Sequence, residues 1–142
     1  MVDEVTYLHV LPGITPAKPA IHTPFKTVIV AESNVDPAWM VDVCDRLIEA
    51  GCLYIMAWGE QGSLWDDAGD WANLERHGYG EISSEKSVMT TWHDHEAIED
   101  VFCFCRHGAE HQAVPLTHTL ILHVSTSPDE SALLKSFASQ GD

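Results

Sequence analysis

The amino-acid sequence predicts a three-layer α/β domain, a mostly parallel sheet of four to five strands with helices on both faces. Short apolar runs rich in β-branched residues recur along the chain, and a stretch with helical periodicity follows each of them. In chain order these runs are Phe25–Ser33, Cys52–Gly59, Lys86–His93 and Thr117–Ser125. Helix-length connections between buried strands make the strands parallel. With so few strands, we expect the flavodoxin-like order 2-1-3-4, numbering the four runs as they occur.

Residues 1–24 are expected to form a proline-rich arm, and residues 25–142 a single α/β domain. The arm contains a possible short strand, Thr6–Leu11, and then four prolines within thirteen residues. Proline removes backbone donors and favours extended structure over helix. The arm should therefore lie along the surface of the domain, where its strand would join an edge of the sheet.

The helical stretches differ in the strength of their end signals. In the first, 34–51, Asp36 suits the N-cap, Pro37 the first helical position and Gly51 the C-terminal stop. The second stretch, 63–78, is a poorer helix because Gly69 lies in its interior. A third stretch, 95–108, ends at a glycine. The last helix is expected to begin with the capping box Ser127–Glu130.

Charge is the unusual feature of the composition. The chain has 22 acidic residues against 7 lysines and arginines, a formal net charge of −15. Such a surface repels nucleic acids, anionic membranes and polyphosphates, and favours basic proteins, cations or neutral small molecules as partners. The beginning of the chain does not resemble a signal peptide, and no apolar run is long enough to span a bilayer, so a cytoplasmic location with reduced cysteines is expected. No cofactor is expected, because the sequence has neither a G-x-G-x-x-G turn after the first run nor a P-loop.

The topology also predicts where a binding site should lie. Ligands of open α/β sheets bind beyond the carboxyl ends of the strands, where the strand order reverses. For the order 2-1-3-4, that point lies between the first and third runs. We therefore expect one pocket that contains Trp58, Trp92 and His93 beside Glu32 and Ser33. The acidic segment 65–71, with a tryptophan at each end, would form its rim. The residues expected to contact a ligand or partner are Glu32, Ser33, Trp58, Glu60, Trp65, Asp66, Asp67, Asp70, Trp92 and His93.

Two kinds of chemistry remain open at this edge of the sheet. His93 and His95 lie two residues apart, so both could reach a metal ion, with Asp66, Asp67 and Asp70 available to complete its ligands. An H-x-H pair alone is a weak signal, and acids near a helix start have the simpler role of stabilising that helix. A nucleophilic site is the second option, because His123 and Ser125 share one face of the last strand. No G-x-S-x-G elbow presents that serine.

Several segments together resemble a family of small bacterial proteins with a domain of unknown function, DUF7684. The segments are Tyr54–Gly59, Trp65–Asp67, Asp70–Leu74 and Val88–His93. The resemblance spans about residues 25–125 and implies a bacterial cytoplasmic protein, but it brings no activity. Its segments lie at the expected strand ends and the acidic segment.

The function expected from these observations is binding or regulation, in the manner of an inhibitor or immunity protein. An acidic, tryptophan-bearing surface at the strand ends would bind a basic protein or a neutral small molecule. The alternative is a small metal-dependent hydrolase with His93, Asp66 and Asp67 at its site. A non-enzymatic role is favoured because no complete catalytic set is present.

Overall fold

The computed structural model describes residues 4–141 as an α/β fold with one five-stranded sheet, parallel throughout. Its strands are β1 (Glu4–Val10), β2 (Phe25–Ala31), β3 (Cys52–Gly59), β4 (Met89–His93) and β5 (His118–Val124). Its helices are α1 (Pro37–Ala50), α2 (Gly62–Arg76), α3 (Ile98–His107) and α4 (Glu130–Ala138). Every strand and helix expected from the sequence is present, with shifted ends. Within residues 4–141, no helix has the length and apolarity needed to cross a membrane.

The end signals of α1 act as the sequence predicts. The Asp36 side chain accepts a hydrogen bond from the backbone N–H of Ala38 at 2.8 Å, and Pro37 occupies the first helical turn. At the other end, Gly51 adopts a left-handed conformation with φ of 112°, which a residue with a Cβ rarely adopts. The helix is therefore bounded by local chemistry at both ends.

The capping box predicted for the last helix does not form. Helix α4 begins at Glu130 with Asp129 as its N-cap, and no side chain caps it. The backbone N–H of Asp129 instead donates to the Tyr7 hydroxyl of β1 at 3.0 Å, and the Ser127 carbonyl accepts from Ser125. Contacts with other strands thus hold residues 125–129 as a loop, and the helix begins after it.

The arm contributes a strand to the sheet. β1 pairs along its whole length with β5, from Glu4 opposite His118 to Val10 opposite Val124. The following segment folds back over α1, where the Trp39 indole donates to the Ile14 carbonyl at 3.2 Å and Ile21 is buried in the core. The possible strand in the arm is thus an edge strand of the sheet.

The predicted strand order is wrong. The order is β1-β5-β2-β3-β4, so the four runs appear as 4-1-2-3 instead of 2-1-3-4. The chain that leaves β4 passes through α3 to the far side of β2 before it forms β5. Local apolar patterns show that a strand is buried, but they do not show over which neighbours a connection crosses. Trp92 and His93 are therefore on an edge strand beside β3, and not beside Glu32 and Ser33.

The two faces of the sheet bury separate cores. On the face covered by α1 and α2, the core includes Phe25, Ile29, Ile55 and Leu122. On the face covered by α3 and α4, it includes Val28, Met56, Phe102, Ile121 and Phe137. Successive side chains of a strand point to opposite faces, so each residue at a strand end belongs to one of these two sides.

Candidate functional site

The carboxyl ends of the strands form the edge of the sheet where the site is expected. In the observed order β5 and β2 are neighbours, and the helices that follow them lie on opposite faces of the sheet, α1 after β2 on one face and α4 after β5 on the other. The reversal therefore lies between β2 and β5, beside Glu32, Ser33, His123 and Ser125, and not between β2 and β4 as predicted from sequence.

A row of side chains crosses the sheet near this edge, on the face covered by α3 and α4. In register, its members are His9, His123, Val30, Trp58 and His93. Each strand contributes one member because the sheet is parallel and the register is continuous. The row places His123 and His93 three strand spacings apart, roughly 14 Å, so the two imidazoles do not meet.

His123 is the centre of a hydrogen-bond network at the reversal point. Its side chain is 1% exposed, and both ring nitrogens have partners. Nε2 contacts the carboxylate of Glu32, and Nδ1 lies 2.7 Å from the Tyr7 hydroxyl. Because a carboxylate only accepts, Nε2 carries the proton, and Nδ1 accepts from the tyrosine. The Tyr7 oxygen in turn accepts from the backbone N–H of Asp129 at 3.0 Å.

Tyr7 is held in its neutral form by this environment. Burial raises the pKa of Tyr7, and the negative charges of Asp129, Glu130 and Glu32 raise it further, while the hydrogen bond from the Asp129 backbone acts in the opposite direction. At neutral pH the phenol therefore stays protonated, and its O–H donates a hydrogen bond to Nδ1 of His123. The network joins β1, β5 and the end of β2.

Glu32 connects this buried network to solvent. Its side chain is 53% exposed, and it lines two neighbouring clefts. One cleft, of about 350 Å³, lies towards β5 and is lined by hydroxyl-bearing residues and an acid: Ser33, Ser125, Thr126, Ser127 and Asp129. The other, of about 520 Å³, lies towards β3 and is lined by Trp58, Gly59, Glu60, Gln61, Asp94 and His95. The structure thus brings together Glu32, Ser33, Trp58 and Glu60 of the predicted site.

Trp58 and His93 are register neighbours, but His93 does not line either cleft. The Trp58 indole N–H donates to the Glu96 carbonyl at 2.8 Å. The His93 side chain is 10% exposed, and its ring nitrogens lie 2.9 Å from the Glu96 carboxylate and 2.9 Å from the Thr91 hydroxyl. Its ring also packs on Phe104, with centroids 5.5 Å apart. His93 therefore supports the loop that holds Trp58.

The structure does not bring Trp58, Trp92 and His93 into one pocket, which corrects the sequence prediction; of the three, only Trp58 lines a cleft at this edge. Trp92 is the register partner of Ala57, whose side chain lies in the core under α1 and α2, so it points to the opposite face from His93. There it is 51% exposed and lies against Gly62 at the start of α2. The predicted pocket placed two successive strand residues on one side, which the alternation of a strand forbids.

The acidic segment 65–71 lies within α2, on that same opposite face. Trp65 is fully buried, packing edge-on against Trp39 with centroids 5.9 Å apart, so it cannot contact a partner as predicted. Asp66 is 8% exposed, and burial raises the pKa of its carboxyl. Asp67 and Asp70 are exposed, and Asp70 accepts a hydrogen bond from Thr90 at 2.9 Å.

The residues considered for a metal site do not converge. His93 lies on one face of the sheet, whereas Asp66 and Asp67 belong to the helix on the other. His95 has a left-handed backbone, with φ of 60°, and lines the cleft beside Trp58. Between residues 4 and 141 no group of three or more His, Cys, Asp or Glu side chains is arranged to hold a metal ion.

His123 is not placed to activate Ser125. Both nitrogens of the imidazole are occupied by Glu32 and Tyr7, and the Ser125 hydroxyl donates to the Ser127 carbonyl at 2.5 Å. The sequence predicts both residues on one strand face, but β5 ends at Val124 and Ser125 lies in the loop that follows it. Their hydrogen bonds, however, fix the loop and the carboxylate of Glu32, and leave no serine–histidine pair.

Sequence reasoning missed Tyr7 and Asp129, and gave His123 no role in binding. One available signal was a histidine inside a continuously apolar run, because a buried imidazole requires hydrogen-bond partners. Tyr7 comes from β1 and Asp129 from the loop before α4, and the two residues are 122 positions apart in the sequence. Strand pairing brings them together. No local pattern identifies them.

Comparisons with known proteins give one match. The model of a family described as a domain of unknown function, DUF7684, matches residues 5–140 of the 142-residue chain. No curated protein and no solved structure matches the chain. The family match extends beyond the segments that carry the resemblance and includes nearly all of β1, and thus Tyr7.

Proposed function

The chain belongs to the DUF7684 family, a domain of unknown function, and from the geometry of its site we propose that it is a binding protein for a basic protein partner. A lysine or arginine side chain of that partner would enter the crevice formed by the two clefts around Glu32. The observation that carries the proposal is the position of the Glu32 carboxylate, fixed from below by buried His123 and open to both clefts.

The chemistry of the crevice suits a cation. Carboxylates line it on both sides of Glu32, and neither set of lining residues within the described chain includes a lysine or arginine. The Trp58 ring forms part of the wall, and an indole attracts a guanidinium or ammonium group. The carboxylates are Glu32, Glu60, Asp94 and Asp129.

Fixing Glu32 in advance favours binding. A flexible surface glutamate loses conformational freedom when it pairs with a cation, and this loss offsets most of the gain. Here the bond to His123 already holds the carboxylate in place, so less freedom is lost on binding. The net charge of −15 adds long-range attraction for a basic partner and raises the association rate at low salt.

The proposed contact surface extends around the edge of the sheet to α2. Gln61 lines the crevice, and the next residue, Gly62, lies against exposed Trp92. Beyond it α2 exposes Trp71, which is 53% accessible, together with Asp67 and Asp70. Exposed aromatic residues with acids around them are typical of surfaces that bind proteins. A partner would thus contact Trp92, Asp67 and Asp70 as well as the crevice.

The crevice can be tested with Nα-acetyl-arginine amide as the probe, and Nα-acetyl-citrulline amide as its uncharged isostere. In NMR titrations we expect the arginine compound to shift the Trp58 indole N–H resonance in a saturable way. Glu32→Gln should weaken this binding about tenfold, in line with loss of a charge-assisted hydrogen bond. Glu75→Gln, which removes an exposed acid of α2 outside the crevice, is the matched control and should leave it unchanged.

Two results would overturn the proposal. Equal shifts with the citrulline compound would identify a neutral ligand, and shifts confined to resonances outside the crevice would place cation binding elsewhere. A protein captured from a lysate supports the proposal only when added salt releases it and when Glu32→Gln fails to capture it while Glu75→Gln still does.

A further inference from the structure

Another cleft, separate from the two around Glu32, lies at the opposite edge of the sheet, where the strands begin. It has a volume of about 390 Å³, which is large enough for a small ligand. Its walls come from the start of β2, the end of α3 and the loop between α3 and β5. Unlike the crevice around Glu32, it contains cationic side chains, those of Lys26 and Arg106, together with His107.

Lys26 is a buried cation. The residue is 4% exposed, and its ammonium group donates to the carbonyls of Cys105 and Ala109 at the end of α3. These carbonyls carry the partial negative charge of a helix C-terminus, which compensates only part of a full positive charge. An ammonium group has three donors, so one N–H remains after these two bonds.

Arg106 adds a second cation to the same cleft. One of its terminal nitrogens, Nη1, donates to the Phe137 and Ala138 carbonyls at 3.2 and 3.5 Å, and its guanidinium lies over the Phe137 ring. The adjacent His107 donates from Nε2 to the Gln140 carbonyl at 2.7 Å. These partners are neutral as well, and within residues 4–141 no carboxylate lies at ion-pair distance from the arginine.

Burial distinguishes Lys26 from the other cations of the chain. The chain has seven lysines and arginines against 22 acids. Among residues 4–141, Lys18 and Arg76 form ion pairs with carboxylates, whereas the other five, Lys26 and Arg106 included, have no carboxylate within ion-pair distance. Buried charges in proteins are normally paired, and Lys26 is the only one of the seven that is buried.

We propose that this cleft binds a small organic anion through Lys26 and Arg106. A carboxylate or phosphate group would accept hydrogen bonds from the remaining donors of these two side chains. The other wall of the cleft is formed by Val114, Pro115 and Leu116, which suit a short apolar portion of the ligand. A ligand with one negative charge is favoured over a ligand with several, because the net negative charge of the protein repels anions.

Thermal unfolding in the presence of butyrate and of inorganic phosphate tests the proposal, with sodium chloride at matched ionic strength as the reference. We expect at least one of the two anions to raise Tm in a saturable way, since a ligand that binds the folded state stabilises it. A larger effect of butyrate would identify a carboxylate with an apolar chain, and a larger effect of phosphate a phosphate ester.

Three substitutions test where the anion binds. Glu110 is exposed and lines the cleft, so Glu110→Gln should tighten binding about two- to fivefold by removing a repulsive charge. Glu75→Gln makes the same change of net charge on α2 and should leave the affinity unchanged. Arg106→Gln should weaken binding about tenfold.

Three outcomes would overturn the proposal. One is the lack of a saturable rise in Tm with either anion. The second is an equal response of Glu110→Gln and Glu75→Gln, which would indicate a general charge effect. The third is a Lys26→Met variant that folds with a lower Tm but keeps the full response to the anion, since Lys26 would then serve only to cap α3.

Discussion

The imidazole of His123 and the carboxylate of Glu32 are hydrogen-bonded across the boundary between β5 and the end of β2. One member of the pair is 1% exposed and the other is half open to solvent. The bond joins the buried network of Tyr7 to the centre of the acidic crevice. A change at His123 should therefore affect both the stability of the fold and the position of the binding carboxylate.

Replacing His123 by leucine should lower the free energy of unfolding by about 1–3 kcal/mol, because two hydrogen bonds of a buried side chain are lost. Glu32→Gln keeps an oxygen acceptor for Nε2 and should cost less than about 1 kcal/mol. Urea denaturation of the two variants measures both values. If Glu32→Gln destabilises as much as His123→Leu, the charge of Glu32, and not the hydrogen bond, holds this part of the fold.

Trp65 and Trp92 form a matched pair for testing burial, since they are 0% and 51% exposed on the same side of the sheet. Trp65→Ala should lower the free energy of unfolding by about 3–5 kcal/mol, because it opens a cavity under α1 and α2. Trp92→Ala should lower it by only about 1 kcal/mol, and its main effect should be weaker partner binding. Chemical denaturation gives the first comparison and partner affinity the second. Equal losses of stability would contradict the exposed position of Trp92.

Asp66 predicts a pH dependence of stability. Burial raises its pKa in the folded protein above the ordinary value of 3.8. The folded state therefore favours the protonated carboxyl of Asp66. The stabilisation that this preference provides is fully present below the ordinary pKa and is lost as the pH rises through the raised pKa of the folded state. Asp66→Asn removes the titrating group while keeping its shape. The stability of the variant relative to the wild type should increase as the pH rises from the ordinary pKa of 3.8 through the raised pKa of the folded state.

Urea unfolding at a series of pH values measures this difference, in which the titration of all the other carboxyls cancels. Glu75→Gln, a change at an exposed acid of the same helix that is not among the causes of the Asp66 shift, is the control and should leave the pH profile of stability unaltered. A difference between Asp66→Asn and the wild type that stays constant across the range would show that Asp66 has an ordinary pKa.

The cysteines should differ sharply in reactivity. Burial raises the pKa of Cys52 to about 11 and that of Cys44 still further, whereas Cys103 is exposed on α3. The thiolate is the reactive form, so iodoacetamide at mildly alkaline pH should modify Cys103 in the native protein and reach Cys44 and Cys52 only after unfolding. Peptide mass spectrometry identifies the modified residue. Cys103→Ser should abolish the fast reaction, and fast modification of Cys44 would contradict its buried position.

Most of the secondary structure could be predicted because its signals are local. The limits of β3 follow from a continuous apolar run, and the ends of α1 from Asp36, Pro37 and Gly51. The capping box at Ser127 was wrongly predicted, although its signal is local too. The backbone N–H of Asp129 donates to Tyr7 of β1, so contact with a distant strand decides where α4 begins.

The candidate site could be predicted only in part. Because parallel strands end at a common edge, the sequence placed Glu32, Ser33, Trp58 and Glu60 correctly in one region. It placed Trp92 there as well, since strand-end position was considered without the alternation of side chains between faces.

The sequence by itself determined that this chain alternates strands and helices, that its strands are parallel, and at which edge polar and aromatic residues gather. These properties depend on the spacing of neighbouring residues and on the length of each connection. Only the tertiary structure decided the strand order, and with it that His123 rather than His93 lies beside Glu32. The physical reason is that the choice between two neighbours for β2 depends on how whole helices and strands pack together, and no short segment carries that information.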